Sequence, residues 1–119
     1  MKNIQQNEPV YGFRNAMEEL ALEELERQLQ NLPPELVQSI NQIDVITYAL
    51  NRLPPLYAST EEGYQWQQQQ ARKSMKGFIY RMIKLSIKVS QRQGKVFSIP
   101  LKVSQQLIGQ DLKFLSENS

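Results

Sequence analysis

An all-α fold is predicted for this 119-residue chain, and three features carry the prediction. Apolar side chains recur every three or four residues over long stretches, the spacing that places them on one side of a helix. Glycine is scarce, at 5 residues, which suits helices better than a β-sandwich. Proline pairs at Pro33-Pro34 and Pro54-Pro55 stop the periodic stretches, because proline removes an amide donor and restrains its predecessor. The expected architecture is a small single-domain helical fold with one long central helix. Residues 1–12 form a flexible arm and residues 13–117 the domain. The apolar coverage of the long helix further predicts a dimer.

Composition narrows the functions open to such a domain. The chain contains no cysteine and no histidine, which removes disulfides, thiolate nucleophiles, the usual Cys/His zinc sites and the usual general base at neutral pH. Any enzyme here would rest on Asp, Glu or Lys, and no acidic pair shows catalytic spacing; no enzyme is expected, and no metal or cofactor. No apolar run approaches the ~20 residues that cross a bilayer, and no signal-peptide pattern opens the chain. A cytoplasmic protein without membrane contact is the expectation. The net charge is +2, yet residues 1–60 carry four basic and eight acidic side chains and residues 61–119 carry ten and four. Two readings fit this asymmetry: an anionic partner for the second half, or acidic and basic elements that pack together.

From Asn15 onward Met17, Ala21, Leu25, Leu29 and Leu32, with Leu22 beside them, form one stripe of a first helix. Glu18, Glu19, Glu23, Glu24 and Glu26 mostly take the rest of its surface, as a solvated face. Pro33-Pro34 ends this helix, and Pro34 opens a short turn of helix over residues 35–40. A break near Asn41 and a continuous helix through it are both open. The next helix spans about residues 42–53, with Ile43, Ile46, Ala49, Leu50 and Leu53 inward. Asp44, Tyr48 and Asn51 share the opposite side with Arg52 at its margin. That face is either a recognition surface or an ordinary wet face with i, i+4 neighbours.

Pro54-Pro55 terminates that helix and stiffens its exit, and Leu56 and Tyr57 are expected to turn back onto the core. Ser59 with Glu62 has the spacing of a capping box, Thr60 being the competing cap. Glu61 and Glu62 in the first turn would repel a phosphate there, despite the partial positive charge of a helix start. One long helix is expected over about residues 61–93. Met75, Phe78, Ile79, Met82, Leu85 and Val89 form its apolar stripe, and Tyr80, Ile83 and Ile87 a second flank. A helix apolar on two flanks calls for two partners, its own core and a second subunit, for which a two-fold dimer is the default. Lys73, Lys84 and Lys88 lie opposite the core, with Arg81 and Arg92 near one edge and Arg72 and Lys76 nearer the helix start. This basic set fits a solvated face, a nucleic-acid surface or a compact anion site. Strong DNA binders make about six to ten phosphate contacts, so nucleic acid is not expected. Gly94 is a natural cap, Lys95 to Leu101 a loop or short edge segment, and Gln105 to Leu115 a final helix capped by Ser104.

The run D-V-I-T-Y-A-L-N-R-L-P-P-L-Y-A-S-T from Asp44 to Thr60, followed by Gly63, Trp66 and Gln67, resembles the signature of the late competence development protein ComFB family. Its most specific part is Ala49 to Tyr57, and the resemblance covers roughly residues 16–92. It implies a small, all-helical, dimeric protein. Some members bind zinc through cysteines, which this chain lacks, so zinc is not carried over. The cysteine-poor branch is similar to receptors for cyclic di-GMP linked to competence, motility and cell size. The implied function is a non-enzymatic receptor that relays second-messenger level to a downstream protein such as a transcription regulator. Tyr64 stands where the family usually has tryptophan, which keeps an aromatic ring.

Cyclic di-GMP presents two phosphates and two guanines, and the resemblance directs attention to side chains that suit them. Arginine reads the guanine O6/N7 edge with two hydrogen bonds, and Asp44 would accept from the N1/N2 edge, with Asn51 beside it. Tyr48, Tyr57 and Tyr64 are candidates to stack on a purine. Arg52, Arg72, Lys73 and Lys76 are candidates for the phosphates. Two copies of the site about a dimer axis would match a two-fold symmetric ligand. The other class left open is a helical protein-interaction or nucleic-acid-associated module with no nucleotide ligand.

Overall fold

The computed structural model describes residues 10–93 and 99–103. A two-residue strand β1 (Arg14–Asn15) leads into helix α1 (Ala16–Leu29), followed by the short α2 (Pro34–Gln38) and α3 (Gln42–Leu50). Strand β2 (Tyr57–Ala58) then precedes α4 (Glu61–Ser74) and α5 (Lys76–Gln93). The two strands pair antiparallel, with Arg14 opposite Ala58 and Asn15 opposite Tyr57. Among the described residues the fold is all-helical apart from this ribbon, which the sequence did not announce. Strands of two residues are too short to display an alternating pattern. The helix expected over residues 105–115, its Ser104 cap, the Gly94 cap and most of the arm lie outside the described residues. Residues 99–103 take no regular structure.

Local contacts set the boundaries of α1 to α4. Asn15 caps α1 through Oδ1, which accepts from the Met17 amide at 3.1 Å. The helix closes at Leu29, and two tight turns, Asn31 N to Gln28 O and Leu32 N to Leu29 O, carry the chain to Pro33. Pro34 occupies the first turn of α2, where its missing amide costs nothing. The chain does break at Asn41, whose Oδ1 caps α3 by accepting from Asp44 N at 3.0 Å. Helix α3 ends at Leu50, short of the expected Leu53. Leu53 reaches the core from the following turn, with its amide on Ala49 O at 2.9 Å. Thr60, not Ser59, caps α4: Oγ1 accepts from Gly63 N at 2.9 Å. With the helix beginning at Glu61, Glu62 falls one position short of reciprocating.

The expected single long helix is interrupted at Met75, where ψ opens to 9° with φ at −120°. The surrounding residues explain the break. Ser74 Oγ bonds back to Gln70 O at 2.9 Å, an arrangement that bends helices, and Gly77 adds backbone freedom two residues on. Each half can therefore meet a different neighbour. Helix α5 packs on α3 and α1, while α4 packs on α1 and β2.

Met17, Leu20, Ala21 and Leu25 of α1, Val45, Ile46 and Ala49 of α3, and Ile79, Ile83 and Ile87 of α5 form the centre of the core, with Ile40, Leu53 and Ala71 around it. Ile43, expected inward, is 42% exposed, and Val45 is buried in its place. Contacts from both α1 and α5 shift the buried arc of α3 past the one a single-sided stripe suggests. On α5, Ile83 and Ile87 are buried, whereas Tyr80, assigned to the same flank, is exposed. Phe78 and Leu85 also stay exposed, with Met82 and Val89 half-buried between and beyond them. Buried Ser86 fits among the isoleucines because its Oγ donates to Met82 O at 2.7 Å.

Candidate functional site

The double proline and the start of α1 are tied together. Leu56 O accepts from Ala16 N at 2.7 Å, while Leu56 N donates to Asn15 Oδ1 at 2.7 Å. This pair of bonds carries the chain from Pro54-Pro55 into β2, which positions Tyr57. Leu56 packs on the core as expected, but Tyr57 is 55% exposed and meets Phe13 edge-on, ring centroids 5.7 Å apart. Strand geometry is the cause: successive side chains point to opposite faces.

Glu19 and Glu23 lie one helical turn apart on α1, and Tyr64, Gln68 and Arg72 lie one turn apart on α4. The two rows mesh. Tyr64 OH donates to Glu19 Oε1 at 2.7 Å, and Gln68 Nε2 to the same oxygen at 2.8 Å. Arg72 forms an ion pair with Glu23 at 2.9 Å, and the Arg14 guanidinium stands 4.7 Å from the Tyr64 ring centroid. The Tyr64 hydrogen bond chiefly holds the Glu19 carboxyl below its ordinary pKa of 4.5; partial burial opposes the shift, and Gln68, Arg14 and Arg72 assist it. The Glu23 carboxylate likewise raises the Arg72 pKa. Two sequence expectations change accordingly. Glu19 and Glu23 are not simply a solvated face, and Tyr64 and Arg72, proposed for a ligand, are engaged within the fold. Part of the acidic–basic asymmetry is thus internal packing.

The α3 residues form a separate group. Arg52 lies over the Tyr48 ring at 3.5 Å from its centroid and donates through Nη1 to Tyr48 O at 3.0 Å. Tyr48 is half-buried and Arg52 exposed. Asp44 is exposed in the first turn of α3, and Asn51 is its C-cap. Lys73 and Lys76 are exposed on either side of the Met75 break. The structure therefore joins Tyr48 to Arg52 directly. Tyr64 and Arg72 sit on a seam against α1, and Tyr57 lies beside Phe13 on the ribbon. Sequence reasoning missed Asn15, Arg14, Glu19 and Gln68. The spacing Asn15-x-x-Glu18 before an apolar run was an available sign of the Asn15 cap. Nothing local marks the pairing of Glu19 with residues 45 and 49 positions away.

A family model described as "Late competence development protein ComFB" matches residues 14–93, more than half of the chain. This chain belongs to the ComFB family. The match begins at the first residue of β1 and ends at the last of α5, so the ComFB region coincides with the ribbon and all five described helices. No curated protein matches the sequence. Among the described residues no group of His, Cys, Asp and Glu is arranged to hold a metal ion, and no helix is long and apolar enough to cross a membrane.

Proposed function

We propose that this ComFB protein is a non-enzymatic receptor for cyclic di-GMP that passes second-messenger level to a downstream protein. The observation that carries the reading is the exposed Arg52 guanidinium stacked on Tyr48, with Asp44 one turn away. The ring contact and the Nη1 bond to Tyr48 O hold the guanidinium in place, so its remaining N–H fork loses less freedom on binding than that of an extended arginine. A guanine base supplies the acceptor pair that such a fork reads, and Asp44 suits the donor edge of the same base. Of the cations proposed for phosphate, Arg72 is already engaged by Glu23, while Lys73 and Lys76 are exposed.

The same reading takes the working form to be a homodimer. Phe78 and Leu85 are exposed on α5, with the half-buried Met82 and Val89 on the same side, a stripe at i, i+4, i+7 and i+11 in which Met82 also packs on the core. A second copy would bury it and double the site to match a two-fold ligand.

Calorimetric titration of the purified protein tests the proposal. Cyclic di-GMP added at low salt should give saturable heat, and Arg52→Ala should weaken binding by about tenfold or more, the loss expected when a charge-assisted contact goes. Because Arg52 is exposed, the variant should keep the wild-type circular dichroism and melting profile. Absence of heat from cyclic di-GMP would falsify the receptor reading. Undiminished affinity in Arg52→Ala would move the site away from α3.

A further inference from the structure

A cleft bounded by the end of α1, by α2 and by α5 shares no residue with the proposed messenger site. It encloses about 330 Å³, at the small end of the range usual for small-molecule sites. Leu32, Leu36 and Ile87 supply an apolar wall. At its side stands the Tyr80 ring, with the Arg27 guanidinium 5.7 Å and the Lys84 ammonium 5.8 Å from its centroid. Lys88 lies one turn beyond Lys84 in the same lining, which among the described residues includes no carboxylate. The shape is held in advance. Gln28 Nε2 donates to both Glu24 Oε2, at 2.8 Å, and Tyr80 O, at 3.0 Å, which fastens α1 to α5 across the cleft.

The charges are not equivalent. Arg27 is engaged by the Glu24 carboxylate and sits in the last turn of α1, whose carbonyl end is negative. Lys84 and Lys88 remain, among the described lining residues, as the cations available to an occupant. A neutral apolar molecule would desolvate them without compensation. A bare inorganic anion would leave the apolar wall and the ring unused. We propose that this cleft binds a small amphipathic organic anion. Its acidic head is held by Lys84 and Lys88, and its flat apolar body lies against Tyr80, Leu36 and Ile87.

The test uses the full chain and 8-anilinonaphthalene-1-sulfonate as probe, with N-phenyl-1-naphthylamine as its neutral counterpart. Fluorescence titration should show one saturable site per chain for the anionic probe and weaker binding of the neutral one. Replacing both lysines, Lys84→Gln with Lys88→Gln, should weaken the anionic probe by about tenfold or more. Leu36→Trp, which fills the space while leaving the charges in place, should weaken both probes. Equal affinity for the two probes, or anionic binding unchanged in the double lysine variant, overturns the proposal. So does binding that survives those changes but is lost in Leu85→Glu, because the probe would then occupy the open stripe of α5.

Discussion

Asn15 holds two parts of the chain with one oxygen, capping α1 through Met17 N and anchoring the double-proline loop through Leu56 N. Glu19 acts similarly on the other side of α1, with Tyr64 and Gln68 donating to the same carboxylate oxygen. Because its pKa is lowered on folding, Glu19 contributes stability that is fully present above its ordinary value of 4.5 and is lost as pH falls through the folded-state value. Tyr64→Phe keeps the ring near Arg14 but removes the largest cause of that shift. It should cost about 1–2 kcal/mol at neutral pH, and the deficit should shrink on acidification as Glu19 is protonated in both proteins. Urea unfolding of the pair across this pH window checks it. A deficit that stays constant to low pH would show that the hydroxyl acts by packing alone. The Arg72–Glu23 bridge, with both side chains about half exposed, contributes about 0.2–1 kcal/mol, as exposed pairs do.

Among the elements, α4 and α5 illustrate opposite uses of glycine. A Cβ on Gly63 would stand 2.9 Å from Thr60 Oγ1, the atom that caps α4. A Cβ on Gly77 would meet only the Arg81 guanidinium, at 3.2 Å, the far end of a flexible side chain. Gly63→Ala should therefore displace the cap and destabilise by about 1 kcal/mol. Gly77→Ala should stabilise by about 0.5–1 kcal/mol, because alanine is the better helix former and the arginine can move aside. Chemical denaturation decides the signs; stabilisation by both would mean that the Thr60 hydroxyl contributes little to the start of α4. Helix α4 itself is polar, with Ala71 its one buried residue among those described. It is held against α1 largely by the carboxylate seam, while the isoleucines of α5 hold the centre of the core.

For the molecule as a whole, two of the exposed apolar surfaces among the described residues bear on assembly. One is the aromatic ground around the ribbon, where Phe13 is 75% and Tyr57 55% exposed, which the receptor reading leaves open to the downstream protein. The other is the Phe78–Leu85 stripe, which the dimer reading assigns to a second copy. Leu85→Glu should shift the sedimentation profile from dimer to monomer without loss of helix signal, since Leu85 is 44% exposed and outside the core. A wild-type chain that sediments as a monomer at high concentration, with or without cyclic di-GMP, removes that assignment.

Periodicity, proline pairs and the Asp44–Thr60 run were enough to define an all-α ComFB domain, its first helix and most of its inward residues, because these depend on neighbours a turn or two apart. The break at Asn41 and the cap at Thr60 were legible as alternatives, since each choice rests on a local backbone angle. What the chain alone left open were contacts between distant segments: the ribbon joining Arg14–Asn15 to Tyr57–Ala58, the Glu19–Tyr64 seam and the burial of Val45 in place of Ile43. Residues such as Tyr64 and Arg72 have side chains equally able to bind a ligand or to satisfy a carboxylate. Only the packing of α4 on α1 brought Glu19 and Glu23 within hydrogen-bonding reach of them.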